Sequence, residues 1–130
     1  MSEVRVVRAS DLSSQTAQTI GMKRMTAIDA RSVGSRSMWA GRVTMDPGTR
    51  SGAHHHGDCE SVIFVISGTI RMRYGEALEH EVEAASGDFL HVPPHLVHQE
   101  INSSDDTLVD CIVMRDPNEN VVINVDVLGA

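Results

Sequence analysis

Between residues 38 and 128 the chain is broken into short extended segments by turn residues, and no other feature constrains its fold as tightly. Residues 38–45 are followed by Asp46-Pro47-Gly48, residues 61–67 by Gly68, residues 69–74 by Gly75, and residues 89–92 by Pro93-Pro94. Proline fixes φ and lacks an N–H, and glycine accepts positive φ, so such residues end strands and reverse the chain. Residues 61–67 are β-branched and apolar on both faces and read as a buried strand, whereas 69–74 alternates. Further extended pieces are expected at 52–56, at 78–84 as a more exposed strand, at 98–102, at 107–114 and at 120–128. Segments this short, with turn signals this regular and no convincing helix, specify an all-β sandwich or barrel. At 130 residues the chain makes one domain, long enough to bury a core without disulfides.

The first 36 residues are harder to read. Residues 4–7 alternate weakly with charged positions and suggest a short strand, Asp11 suits a capped turn, and residues 21–28 begin another strand. The remainder is polar without a clean period. It reads as an arm that packs on the outer sheet or reaches a partner subunit, ahead of a barrel over residues 37–130.

Composition narrows the partners. A formal net charge of −7 opposes nucleic acid and anionic membrane, both of which need a basic face. Aromatic residues make up 3% of the chain, too few for a large stacking platform. Two cysteines, Cys59 and Cys111, do not make a disulfide framework and suit reduced thiols in a cytoplasm. The N-terminus lacks the apolar core of a signal peptide, and no segment is apolar enough to span a bilayer. The partner is therefore expected to be a small molecule.

Three of the seven histidines lie in a row, His54-His55-His56, with Glu60 four residues on. Residues two apart on a strand share a face, so His54 and His56 aim two imidazoles at one point, and His55 points away. A turn at Gly57-Asp58 would bring the Glu60 carboxylate to them, and His98 is the best further donor. Such a set suits a divalent first-row metal, with Fe, Mn, Ni and Zn all in play. No serine or cysteine triad and no phosphate-cradling glycine loop is present.

These residues resemble the two motifs of the cupin superfamily, small double-stranded β-helix (jelly-roll) barrels. The first motif appears as Gly48, His54, His56, Glu60 and Gly68, the second as Gly87, Pro93, His98 and Asn102, so the likeness covers residues 48–68 and 87–102. There are two departures. Seven residues separate Glu60 from Gly68 where the pattern has six, which places Ser61 in the glutamate position. His95 stands where the second motif has glycine. Either a β-bulge turns Glu60 inward, or the site is a three-histidine one with Glu60 to one side.

The resemblance implies one metal ion bound by His54, His56, Glu60 and His98. Arg71 matches an arginine that in some cupin enzymes points into the barrel, where it would hold a carboxylate or enolate; the bland alternative is a solvated face. His91 and His95 are candidates to move protons, or else a barrel residue and a rim residue. Gln99 and Glu100 flank His98, placed to orient it or to line the mouth. By analogy with the fold, the chain is expected to be an enzyme on a small oxygen-rich substrate with dioxygenase-like chemistry. The alternatives are a non-oxidative isomerase, decarboxylase or lyase, and a non-catalytic binding or sensor module. A homodimer paired through sheet edges or N-terminal arms is also expected.

Overall fold

The turn residues delimit ten strands whose alternate apolar positions face inward, in a computed structural model that describes residues 2–118 and 121–130. In chain order they are β1 (Lys23–Ile28), β2 (Trp39–Met45), β3 (His54–His55), β4 (Glu60–Ser67), β5 (Thr69–Tyr74), β6 (His80–Ala85), β7 (Phe89–Val92), β8 (His98–Ile101), β9 (Val109–Asp116) and β10 (Ile123–Asn124). They form two five-stranded antiparallel sheets, ordered β1-β2-β9-β4-β7 and β10-β3-β8-β5-β6. Apart from the neighbouring pairs β1-β2 and β5-β6, successive strands cross from one sheet to the other, which is the jelly-roll barrel the motifs implied.

Inward positions of both sheets meet in a core that includes Trp39, Met45, Val65, Ile70, Met72 and Val109. Truncating any of the larger ones to alanine costs about 2–5 kcal/mol, because a close-packed interior relaxes only partly around the void. Gly68 turns β4 into β5 with φ +82°. A Cβ there would lie 2.8 Å from the Leu108 carbonyl oxygen, so both conformation and space demand glycine.

The arm departs from expectation. Residues 4–7 are not a strand, and residues 30–33 make one helical turn, α1 (Ala30–Val33), that the sequence did not announce. Asp29 and Ser32 cap it reciprocally, and Gly34 ends it in the left-handed conformation. β1 joins the first sheet beside β2, so this part of the arm is structural. The last strand is shorter than 120–128; its expected first residue, Asn120, lies outside the described residues. No helix among the described residues is long and apolar enough to cross a membrane.

Candidate metal centre

β3 and β8 are neighbours in the second sheet, with His54 directly opposite His98. His56 follows β3 on the same side. The three rings are buried, and their ligand atoms lie within 4.8 Å of one another. The other nitrogen of each ring is committed. Nδ1 lies 2.8 Å from the Gly52 carbonyl oxygen in His54, 2.9 Å from that of Val121 in His56, and 2.9 Å from that of Leu96 in His98. A carbonyl only accepts, so Nδ1 carries the proton and the lone pair is left on Nε2. Three oriented imidazoles of this kind can hold a divalent metal ion.

A buried carboxylate, Glu100, lies beside the three rings. Residues 98 and 100 share a face of β8, which carries Glu100 into the barrel. Its Oε2 lies 3.4 Å from His54 Nε2 and its Oε1 3.4 Å from His98 Nε2, and the Ser51 hydroxyl donates to Oε2 at 3.2 Å. Each carboxylate oxygen faces one imidazole lone pair and is repelled by it unless a cation lies between them, so this arrangement calls for a proton or a metal.

The protonation pattern agrees. Burial pushes the His54 pKa down to about 4, against the pull of Glu100. Burial, reinforced by Arg115, takes His56 to about 2. Burial also acts on His98, but Glu100 outweighs it and raises that pKa. Burial alone would raise the Glu100 pKa; His54, His98 and Arg24 overcome it and hold Glu100 well below the usual carboxylate range. Near neutral pH, His54 and His56 are thus neutral, as metal ligands must be, beside an ionised carboxylate.

Two arginines share this interior. Arg24 of β1 is 1% exposed and reaches His54 Nε2 with Nη2 at 3.4 Å, while Nη1 donates to Thr19 Oγ1 at 2.7 Å. Arg115 of β9 lies over the Trp39 ring, 4.6 Å from its centroid. Both line an internal cavity of about 10 Å³, together with His56, His98, Glu100 and Ser61. The remaining wall is apolar, with Val43, Ile63 and Ile70 among its residues.

The other expected site residues lie elsewhere. Glu60 is outside the centre. Along β4 the inward residues are Ser61, Ile63 and Val65, so Glu60 faces solvent and meets His91 Nε2 at 2.6 Å. The strand irregularity that absorbs the extra residue falls between Val65 and Ser67, too late to turn Glu60 inward. Of the two arrangements the sequence left open, the geometry is the three-histidine one. Arg71 also points outward, with Nη2 donating to Glu81 Oε1 at 2.6 Å, because Ile70 and Met72 take the inner face of β5. His91 is on the outer face of β7, remote from any proton-moving role at the centre. His95 is exposed and meets Asp58 Oδ1 with Nε2 at 2.7 Å. His55 faces away, its Nδ1 accepting the Gly57 N–H. Cys59 is buried in the loop, its thiol donating to the Pro117 carbonyl oxygen. Sequence reasoning missed Arg24, which sits in the illegible arm. It left Glu100 without a definite role, although the two-residue spacing from His98 was the available signal.

A family model described as a cupin domain matches residues 41–114. Among solved structures, the polyketide cyclase RemF from Streptomyces resistomycificus superposes with a TM-score of 0.76 at 15% identity, over 98% of this chain and 89% of that one. KdgF from Halomonas sp. gives 0.67 at 17% identity, over 87% and 94%. The S161A mutant of Bacillus subtilis oxalate decarboxylase OxdC gives 0.72 at 20% identity, over 85% of this chain but only 30% of that one. At such identities the likeness is one of fold. No curated protein matches the sequence significantly.

Proposed function

The chain belongs to the cupin family, and from that premise we propose that it is a mononuclear metal-dependent enzyme acting on a small, oxygen-rich organic substrate. The observation that carries this reading is the convergence of three buried histidines whose Nδ1 protons are all spent on backbone carbonyls. His54, His56 and His98 would hold a divalent first-row ion, which supplies Lewis-acid polarisation of a bound oxygen.

Between the two reaction types, Glu100 favours the non-oxidative one. It is buried, ionised and beside the ligands, so it is placed to take a proton from a substrate carbon or hydroxyl that a bound metal ion would acidify. Apolar walls exclude water from that proton transfer. Isomerisation, decarboxylation and lyase chemistry all fit this arrangement. The names of the similar folds, a cyclase and a decarboxylase among them, lend support only by analogy. A dioxygenase-like reaction needs the same ligands but gives Glu100 no evident task.

One feature favours a second reading, a non-catalytic binding module. The interior space of about 10 Å³ is room for a single water-sized group. The deciding experiment is elemental analysis of untagged protein, wild type and His98→Ala, followed by turnover assays with and without oxygen. About one ion per chain, absent from the variant, with substrate loss independent of oxygen, is the expected result. Oxygen uptake would transfer the reading to a dioxygenase. No metal, and none taken up on reconstitution, would leave the binding module. Exposed Phe89 and Val82 on the edge strands β7 and β6 suit a homodimer, which light scattering of the purified protein would test.

A further inference from the structure

A ligand of the histidine centre has almost no room beside it. The interior cavity of about 10 Å³ takes one oxygen-sized group, so the rest of the ligand needs space elsewhere. The open edge of the barrel provides it. β6 and β7 are edge strands of opposite sheets, and no strand among the described residues closes the gap between them. That gap is a cleft of about 370 Å³, within the roughly 300–1,000 Å³ of small-molecule sites. Met72, Val82, Leu90, Val92 and Leu96 give it apolar walls, and Tyr74 places a phenol among them.

The cleft adjoins the centre. Val92 lines both it and the interior cavity, so a single side chain parts the two spaces. Across the second sheet, His54 stands opposite His98, His98 opposite Tyr74, and Tyr74 opposite His80. Residues directly opposite on antiparallel strands share a face, so the four rings make one row along the inner side of the sheet. The row runs from buried His54 and His98, through half-buried Tyr74, to exposed His80, which stacks on Tyr74 with centroids 5.1 Å apart. Leu96 makes a second link. It lines the cleft while its carbonyl oxygen accepts from His98 Nδ1 at 2.9 Å.

We propose that this cleft holds the body of the substrate, an apolar ring compound whose one oxygen-bearing end turns past Tyr74 towards His98. The direction of that end rests on the metalloenzyme reading; the cleft stands without it. Apolar walls reward the burial of a ring, and a flat one also meets the Tyr74 ring in offset or edge-to-face contact. The Tyr74 hydroxyl can donate to the ligand oxygen. A small dicarboxylate such as oxalate has no apolar surface to place there.

The test is equilibrium dialysis of 2-naphthol and naphthalene against metal-free and metal-loaded protein. Wild type is compared with Val82→Trp, which fills the cleft, with Tyr74→Phe, and with Leu108→Trp, an exposed control outside it. The expected result is 2-naphthol bound by wild type with or without metal, at least about tenfold more weakly by Val82→Trp and equally by Leu108→Trp. Tyr74→Phe should weaken 2-naphthol about two- to tenfold and leave naphthalene unchanged. Oxalate should not displace 2-naphthol from metal-free protein. Equal 2-naphthol affinity in wild type and Val82→Trp would overturn the proposal, and an unchanged affinity in Tyr74→Phe would overturn the direction of the oxygen. A second copy seated on β6 and β7 would close the cleft, so a wild type that is dimeric by light scattering and binds neither probe gives these edges to the partner subunit and sinks the proposal. Should Val82→Trp misfold, nuclear Overhauser contacts from 2-naphthol in wild type decide. Contacts to the Val82, Leu90 and Leu96 methyls support the cleft, and contacts elsewhere refute it. Cleft binding by protein that takes up no metal would end the metalloenzyme reading and keep the cleft; metal uptake without probe binding would do the reverse.

Discussion

The molecule pairs histidine with carboxylate on both faces of its barrel, and the two faces behave in opposite ways. Outside, His91 meets Glu60 at 2.6 Å and His95 meets Asp58 at 2.7 Å, all four side chains more than half exposed. Inside, His54 and His98 lie farther from Glu100, 3.4 Å in each case, with every side chain within 3% of full burial. The shorter pairs sit in water, where screening leaves an ion pair worth about 0–1 kcal/mol. The longer ones act through low-dielectric protein, and there they decide which groups are charged. Distance alone would have ranked them wrongly; burial decides.

The sharpest break between the two faces comes from His98→Ala. We expect bound metal to fall from about one ion per chain to almost none by elemental analysis, with activity lost alongside it. His91→Ala should leave both intact. Next is Glu100→Gln against Glu60→Gln. Removing the inner carboxylate should weaken metal affinity by about 10–100-fold in a chelator competition, as loss of a group that positions ligands does. Removing the outer one should change it by less than about twofold.

Acid should separate the faces as well. In metal-free protein, the folded pKa values of His54 and His56 lie near 4 and 2, below the ordinary 6.5 of the unfolded chain. As pH falls below about 6.5, the unfolded state takes up protons that the folded state refuses, so stability declines. His98, with a raised pKa, partly offsets this by gaining a proton more readily when folded. Two depressed groups against one raised group give a net loss, of at least about 1 kcal/mol between pH 6.5 and 4, read from denaturant midpoints. Glu100 adds a further loss below the usual carboxylate range.

The smallest effect concerns His95, whose φ of +61° is a left-handed conformation in the slot where the family motif has glycine. His95→Gly should raise stability by about 0.5–1 kcal/mol, since relief of that strain outweighs an exposed contact to Asp58. A loss of stability would mean that the outer pair contributes more than its exposure suggests.

Most of the barrel was legible because turn chemistry and period-two alternation are local signals. They delimited β2 and β4 to β9 to within a few residues, while the resemblance to the family assigned the second motif its histidine. Facing was harder. Arg71 was placed inward by resemblance, although Ile70 and Met72 already claimed the inner face of its strand. Glu60 and Glu100 show the same lesson from two sides: a carboxylate next to a motif was favoured over one at the correct parity, two residues from His98. Arg24 was out of reach, because its role depends on β1 packing against strands distant in sequence. No pattern within residues 10–36 encodes that.

The bond from His56 Nδ1 to the Val121 carbonyl oxygen has a consequence for the chain's far end. The same segment pairs Ile123 with His55 and bonds Val125 to Ala53, so the tail works as a clasp on the ligand-bearing strand. A metal ion on Nε2 would hold the opposite edge of the same imidazole ring, and clasp and ion would then tighten each other by linkage. Protection of the Val125 amide, which bonds to Ala53, against hydrogen exchange then becomes a gauge of how full the centre is.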